Sequence, residues 1–170
     1  ECRMIKFLGI IFIIICGAGI GIKASGDLKK RSDMCLYVKT FLSELSILMK
    51  YSGDTLFNLI SELSERESIR NLTFLPDVIN SMSEGMAFPY SWKNALSNDK
   101  NLYSELKKLL FTLGESLGTS DIEGQLVSIE RAEEELSVIY ENALSLYRKK
   151  GKLYRSIGIL GGMTAALLLC

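Results

Sequence analysis

The chain has 170 residues, of which 48% are hydrophobic, and its formal net charge is zero. This length suits one domain, or one domain with added membrane segments. There is no histidine, the commonest general base and metal ligand, and the four cysteines, at positions 2, 16, 35 and 170, lack metal-ligand spacing. We therefore expect no metal site, no cofactor and no disulfide framework.

The chain opens with an apolar segment. Residues 7–22 carry no charge and lie between Lys6 and Lys23, and no small-x-small cleavage site follows them. This pattern predicts an uncleaved membrane anchor over residues 1–22. At the other end, residues 157–170 are also free of charge, which predicts a second membrane segment over residues 155–170. Both are shorter than the roughly 20 residues that span a bilayer upright.

Residues 23–154 form the predicted central domain, and its charge is unevenly distributed. Residues 32–147 contain 9 basic and 18 acidic side chains, which gives a formal charge of −9. Nine cations flank this acidic region next to the apolar segments: Lys23, Lys29, Lys30, Arg31, Arg148, Lys149, Lys150, Lys152 and Arg155. The positive-inside rule then places the central domain in the cytoplasm. Cations at that position suit lipid headgroups, and nucleic acid is excluded as a partner.

Apolar spacing predicts six helices in this central domain. The first covers residues 28–51, either alone or as a continuation of the membrane anchor. The second follows a break at Ser52-Gly53-Asp54, whose carboxylate is the predicted cap. The third covers residues 72–86, with Pro76 in its first turn. After a predicted turn at residues 88–90, Ser91 caps the fourth helix. The fifth runs from Asn98-Asp99 to Gly118, and the sixth begins at Ser120 or Asp121.

The sixth helix resembles one strand of a coiled coil. Every fourth or third position from residue 122 to residue 147 is apolar apart from Glu133. The acidic run Glu133, Glu134 and Glu135 is interpreted first as a solvated helix face and second as a binding surface.

Each terminal segment has two glycines four residues apart, Gly17 with Gly21 and Gly158 with Gly162. This spacing is typical of membrane helices that pack closely together, although glycine is also simply frequent in such helices. The glycine spacing is therefore compatible both with packing of the two segments and with chance.

Catalytic chemistry has little support. No phosphate-binding loop occurs, and carboxylate pairs such as Glu62 with Glu65 lie among polar neighbours with nothing to raise a pKa. An enzyme that uses carboxylates or Cys35 is the least favoured of the hypotheses.

The most specific motif is Leu-Gly-Glu-Ser-Leu-Gly-Thr-Ser-Asp at residues 113–121. It is followed by Gln125 and by a long Glu-rich helix that runs through a basic stretch into Ser156-Ile157-Gly158. With the Met-Ile-Lys start at Met4 and the single Trp92, this order resembles the stage III sporulation protein AB family. That family is similar to the cytoplasmic, F-type domain of the type II secretion inner-membrane platform, which implies a compact bundle of about six helices.

The resemblance implies a scaffold in the channel between mother cell and forespore, held in the mother-cell membrane. Its implied partners are a cytosolic secretion-type ATPase and other membrane subunits. Gly114 and Gly118 are expected to permit the turn after the fifth helix, and Asp121 to cap the sixth. Candidate partner contacts are Glu115, Gln125, Glu133, Glu134 and Glu135. For Gln125, as for Gly114, Gly118 and Asp121, a structural role is favoured over direct contact with a partner. A structural protein that binds anionic membrane lipid remains the main alternative.

Overall fold

A computed structural model describes the backbone of residues 2–168 and the side chains of residues 19, 21–154, 156, 157 and 160. Between residues 2 and 168 the chain forms six α-helices and no strand, so the predicted all-α class is confirmed. The helices are α1 (Cys2–Tyr51), α2 (Leu56–Glu65), α3 (Leu75–Ser83), α4 (Phe88–Asn98), α5 (Ser104–Ser116) and α6 (Ile122–Leu168).

The two apolar ends of the chain belong to the first and last helices. The helix α1 has 50 residues and α6 has 47, so neither terminal segment forms a separate helix. Most side chains of the predicted membrane segments, residues 1–22 and 155–170, lie outside the described residues. Among the residues that are described, no helix has a stretch both long enough and apolar enough to cross a membrane.

The chain divides into two compact units. The first, here called the bundle, is Asp33–Glu141, and it contains α2 to α5 with parts of α1 and α6. The second, here called the terminal pair, consists of Glu1–Ser32 and Asn142–Cys170. The bundle is therefore shorter at each end than the predicted domain of residues 23–154.

The core of the bundle is built around Trp92, of which only 1% is exposed. The rings of Phe74 and Phe88 each lie 5.3 Å from the Trp92 ring, measured between centroids, and that of Phe41 lies 6.1 Å away. The indole Nε1 donates a hydrogen bond of 2.7 Å to the carbonyl oxygen of Leu110. One side chain thus joins α1, α4, α5 and the segment before α3.

Four predicted helix starts are wrong by a few residues. The helix α3 covers Leu75–Ser83 and is shorter at both ends than the predicted residues 72–86, because residues 73–74 and 84–85 form turns. The helix α4 begins at Phe88, because Pro89 fits the first turn of a helix, where no amide donor is needed, so residues 88–90 are not a turn. The helix α5 begins at Ser104, because the Asp99 carboxylate binds the amides of residues 101 and 102 in a turn. Thr55, rather than Asp54, caps α2.

The terminal pair contains small side chains where its helices are buried. Gly21, Ser25 and Ser32 of α1 are buried, as is Gly151 of α6. A Cβ atom added to Gly151 would lie only 3.1 Å from the Ser25 hydroxyl oxygen. Helices with small residues at a contact approach each other closely, so a larger side chain at residue 151 would push against α1.

Candidate functional site

The connection between α5 and α6 is held in one conformation by its own residues. Gly118, two residues after the end of α5, has a φ of 76°, which a residue with a side chain adopts only with strain. Asp121 precedes the first residue of α6, and its carboxylate accepts the Gly124 amide at 2.9 Å. A carboxylate at that position satisfies an amide that would otherwise have no helical partner.

Gln125, in the first turn of α6, stabilises the same connection with two hydrogen bonds. Its side-chain oxygen accepts the Gly118 amide at 3.1 Å, and its side-chain nitrogen donates to the Ser120 carbonyl at 2.8 Å. Only 9% of Gln125 is exposed. Both ends of the Gln125 amide are therefore used inside the protein, which fits the structural role expected for this residue, and its contact with a partner stays a prediction.

Gly114 does not lie in the turn, contrary to prediction. It is buried within α5, where a Cβ atom would overlap the Trp92 ring and lie 2.5 Å from the indole Nε1. The residue therefore makes room for the indole on the neighbouring helix. The two glycines of the motif have different physical roles, one in packing and one in backbone conformation.

A surface groove lies between α5 and the first half of α6. Its volume is about 270 Å³, and the buried side chains of Leu109, Leu113 and Ala132 contribute to its lining. The charged residues that line it are Glu115, Arg131 and Glu135, all of them exposed. The hydroxyls of Ser116 and Ser128, which also line it, donate to backbone carbonyls of their own helices. This surface is called the acidic groove below.

The acidic groove brings together two of the five predicted partner contacts, Glu115 and Glu135. Glu134 is exposed and Glu133 is half-buried, but neither lines the groove. The buried stripe of α6 in the bundle runs through residues 125, 129, 132 and 136, so Ala132 takes the place that the predicted seam gave to Glu133. Arg131 is a groove residue that sequence reasoning missed, since its position depends on α5.

A comparison with models of protein families identifies the family of this chain. The family model described as stage III sporulation protein AB covers residues 6–170. The chain belongs to the stage III sporulation protein AB family. No curated protein and no solved structure matches it significantly.

The family match includes the motif at residues 113–121 and both apolar ends of the chain. Of the four glycines predicted to pack membrane helices, Gly21 is buried in the terminal pair. The side-chain surroundings of Gly17, Gly158 and Gly162 lie outside the described residues. Membership in this family makes the chain a sporulation-related protein.

Among the described residues, the candidate reactive groups Cys35 and Glu62 are respectively buried and exposed. Cys35 is fully buried, and its sulfur lies 2.6 Å from the Tyr103 hydroxyl oxygen. Burial raises the pKa of the Cys35 thiol, against the smaller lowering effect of the Tyr103 hydrogen bond, so little reactive thiolate forms near neutral pH. Glu62 pairs with Arg66 at 2.5 Å. Among the described residues, no acidic or cysteine cluster could hold a metal ion.

Proposed function

We propose that this chain is a non-enzymatic scaffold of the sporulation channel between mother cell and forespore. The bundle docks a cytosolic secretion-type ATPase and couples it to other membrane subunits. Residues 1–22 and 155–170 hold the chain in the mother-cell membrane, with the bundle in the cytoplasm. Family membership supports the sporulation role, and the cations that flank the apolar ends support the membrane attachment.

The acidic groove is the observation that carries the docking proposal. Over residues 121–141, α6 and its cap contain seven acidic side chains and one basic side chain, Arg131. Such a surface attracts a positively charged partner at long range. The apolar lining suits the methylene stem of a lysine or arginine, and Glu115 and Glu135 suit its charged end. The partner residue expected in the groove is therefore basic.

The alternative of an enzyme has less support. Its best nucleophile, Cys35, is buried and held largely as the thiol. The carboxylate pair predicted at Glu62 and Glu65 is exposed, and Glu62 already pairs with Arg66. A carboxyl group that acts as an acid or base near neutral pH needs a desolvated setting, which these residues lack.

The docking proposal is tested by titrating the full chain, in neutral detergent, with the sporulation ATPase at about 50 mM and 300 mM salt. We expect binding that weakens with salt, because exposed charges are screened. The double variant Glu115→Lys and Glu135→Lys should weaken binding at least about tenfold, or about 1.4 kcal/mol. The matched control reverses two exposed acids elsewhere, Glu67→Lys and Glu84→Lys.

If the groove variant and its control lose the same affinity for the ATPase, binding depends on net charge alone. The groove is then not the docking site. Binding that is indifferent to salt and to both reversals would contradict the electrostatic docking. A folded full chain that never binds the ATPase would overturn the coupling role itself.

A further inference from the structure

Two helices of the bundle carry exposed apolar side chains. On α1 these are Leu36 and Ile47, and on α6 they are Val127 and Val138, each between 43% and 59% exposed. In each pair the residues are eleven apart, which is close to three full turns of an α-helix, so both lie on one side of their helix. We call these two surfaces the α1 face and the α6 face.

The α1 face has cations along one edge. Lys39 and Lys50 are exposed, and each follows an apolar residue of the face by three positions, so they lie along the same edge. The acids of the opposite edge, Asp33 and Glu44, are half-buried, and Glu44 pairs with Arg66. Within the described part of the chain, neither lysine forms a salt bridge. The α1 face therefore offers two cations to an acidic partner.

The α6 face has acids along the corresponding edge. Two of them follow the two valines by three positions, just as the lysines follow the apolar residues of α1. Glu130 and Glu134 are four residues apart, so their like charges repel each other. Arg131, the only cation of residues 122–141, lies on the opposite edge, where it lines the acidic groove. The exposed acids of the first edge are Glu123, Glu130, Glu134 and Glu141. The α6 face therefore suits a partner with cations.

The apolar residues of the two faces match when the helices run in opposite directions. With Ile47 opposite Val127, the shared spacing of about 16 Å also places Leu36 opposite Val138. In this register the apolar pairs of the two faces coincide along their whole length.

The bundle already holds the two faces at the same height. Met49 lies two residues after Ile47, and Gln125 lies two residues before Val127, and these two residues line the same groove of about 290 Å³. A second copy that stands beside the first and points the same way therefore presents its α6 face to the α1 face without any shift along the helices.

The charges match in the same register. Equivalent edges of two antiparallel helices meet, so Lys50 comes within one residue of the level of Glu123. In the same way, Lys39 comes within one residue of the level of Glu134. Ser43, which lies between the apolar residues of the α1 face, is small and leaves room for the long side chains of the α6 face. Opposite charges thus flank the matched apolar pairs.

We propose that this chain associates with further copies of itself through the bundle, the α1 face of one copy packing on the α6 face of the next. A second copy is favoured over another protein because one chain carries both faces, with equal spacing, opposite charge and equal height. A contact between two different faces leaves one of each free at the ends, so copies are added until a ring closes. Two helix faces form a small interface, so the contact is weak and depends on salt.

This contact goes beyond the proposed function and does not involve Glu115 or Glu135, which line the acidic groove. It uses instead the acids on the other edge of α6. Self-association and ATPase docking can therefore be lost separately.

The test joins the two faces by a disulfide between copies. The full chain is purified in a neutral detergent with Cys2, Cys16 and Cys170 replaced by serine. One batch carries Ile47→Cys, and a second, larger tagged batch carries Val127→Cys. After mild oxidation of the mixture at low salt, we expect a disulfide dimer that contains one chain of each batch. The matched mixture of Ile47→Cys with Val138→Cys, displaced by about 16 Å, should give at least about tenfold less.

Reversed charges test the pairing of the edges. In the Ile47→Cys batch, Lys39→Glu with Lys50→Glu should lower the yield of the mixed dimer about tenfold, because like charges then face each other. Adding Glu123→Lys and Glu134→Lys to the Val127→Cys batch should restore it. The matched control reverses two exposed lysines elsewhere, Lys93→Glu and Lys100→Glu, and should change the yield much less.

Equal yields in the two registers, or a loss that the second reversal does not restore, would overturn the contact. So would a mixture that forms no dimer at any salt concentration. The groove variant, Glu115→Lys with Glu135→Lys, should form the mixed dimer as the unchanged chain does while it loses the ATPase. Loss of the mixed dimer in the charge-reversed chain with ATPase binding intact separates self-association from docking.

Discussion

The bundle and the terminal pair are both helical, but their buried contacts use side chains of opposite size. In the bundle, the rings of Trp92, Phe41, Phe74 and Phe88 fill the core. In the terminal pair, the buried positions include Gly21, Ser25 and Gly151. Burial of large apolar side chains stabilises the folded state by removing them from water, whereas small side chains let two helices approach closely. The bundle therefore depends on filling its core, and the terminal pair depends on keeping its contact small.

The largest effect should come from removing the centre of the bundle. Replacement of Trp92 by alanine should lower the free energy of unfolding by about 3–5 kcal/mol, because it leaves a cavity and removes the indole hydrogen bond to the Leu110 carbonyl. Urea unfolding of the full chain, followed by circular dichroism, measures this. Tyr90→Ala, on the same helix but 61% exposed, should change it by less than about 0.5 kcal/mol. Similar losses in both variants would contradict the assigned core.

An enlarged glycine should affect the terminal pair instead. Gly151→Leu should cost about 1–3 kcal/mol, because the new side chain would push against Ser25 and Tyr147. The matched variant Gly26→Leu meets nothing within 4 Å and should be neutral or stabilising, since leucine favours helices more than glycine does. Hydrogen exchange of residues 19–32 and 142–157 measures the difference. If the two variants show the same hydrogen exchange in these segments, the close contact between residue 151 and α1 is contradicted.

A smaller effect is expected at the connection between α5 and α6. Gln125→Ala should cost about 1–2 kcal/mol, because the Gly118 amide and the Ser120 carbonyl both lose a partner. Gln125→Glu keeps the acceptor for Gly118 and should lose about half as much. Urea unfolding of both variants checks this order. If Gln125→Ala unfolds as the wild type does, the side chain does not hold the turn.

The smallest effect concerns Cys35. Burial favours its neutral thiol and raises its pKa in the folded protein above the ordinary 9.0. The resulting stability is present below about pH 9.0 and is lost as the pH rises through the higher folded pKa. Stability measured from pH 7 to pH 11 should therefore fall more steeply in the wild type than in Cys35→Ala. Parallel curves would show that this thiol does not contribute to the alkaline loss.

Sequence reasoning succeeded where the signal is local. Six helices follow from apolar spacing, and the connection between α5 and α6 follows from Gly118 and from Asp121, which precedes the helix by one residue. The turn predicted at residues 88–90 is wrong because proline suits both a turn and the first turn of a helix.

The errors at the site arise from contacts between residues distant in sequence. Gly114 is explained by Trp92, which lies 22 residues earlier in the chain, so its spacing within the motif misleads. Arg131 joins Glu115 in the groove only because α6 packs beside α5. The sequence did contain a signal for Gln125. It is a polar residue seven positions after Gly118, the glycine with positive φ, and such a residue can accept a hydrogen bond from the turn.

The central claim is that the bundle docks the ATPase through the acidic groove. It is tested most directly by hydrogen exchange of the full chain, measured with and without the sporulation ATPase at low salt. We predict added protection in the segments that line the groove, residues 109–116 and 128–135, which is lost in the Glu115→Lys and Glu135→Lys variant. Protection confined to α2, α3 or α4, with these two segments unchanged, would contradict the account.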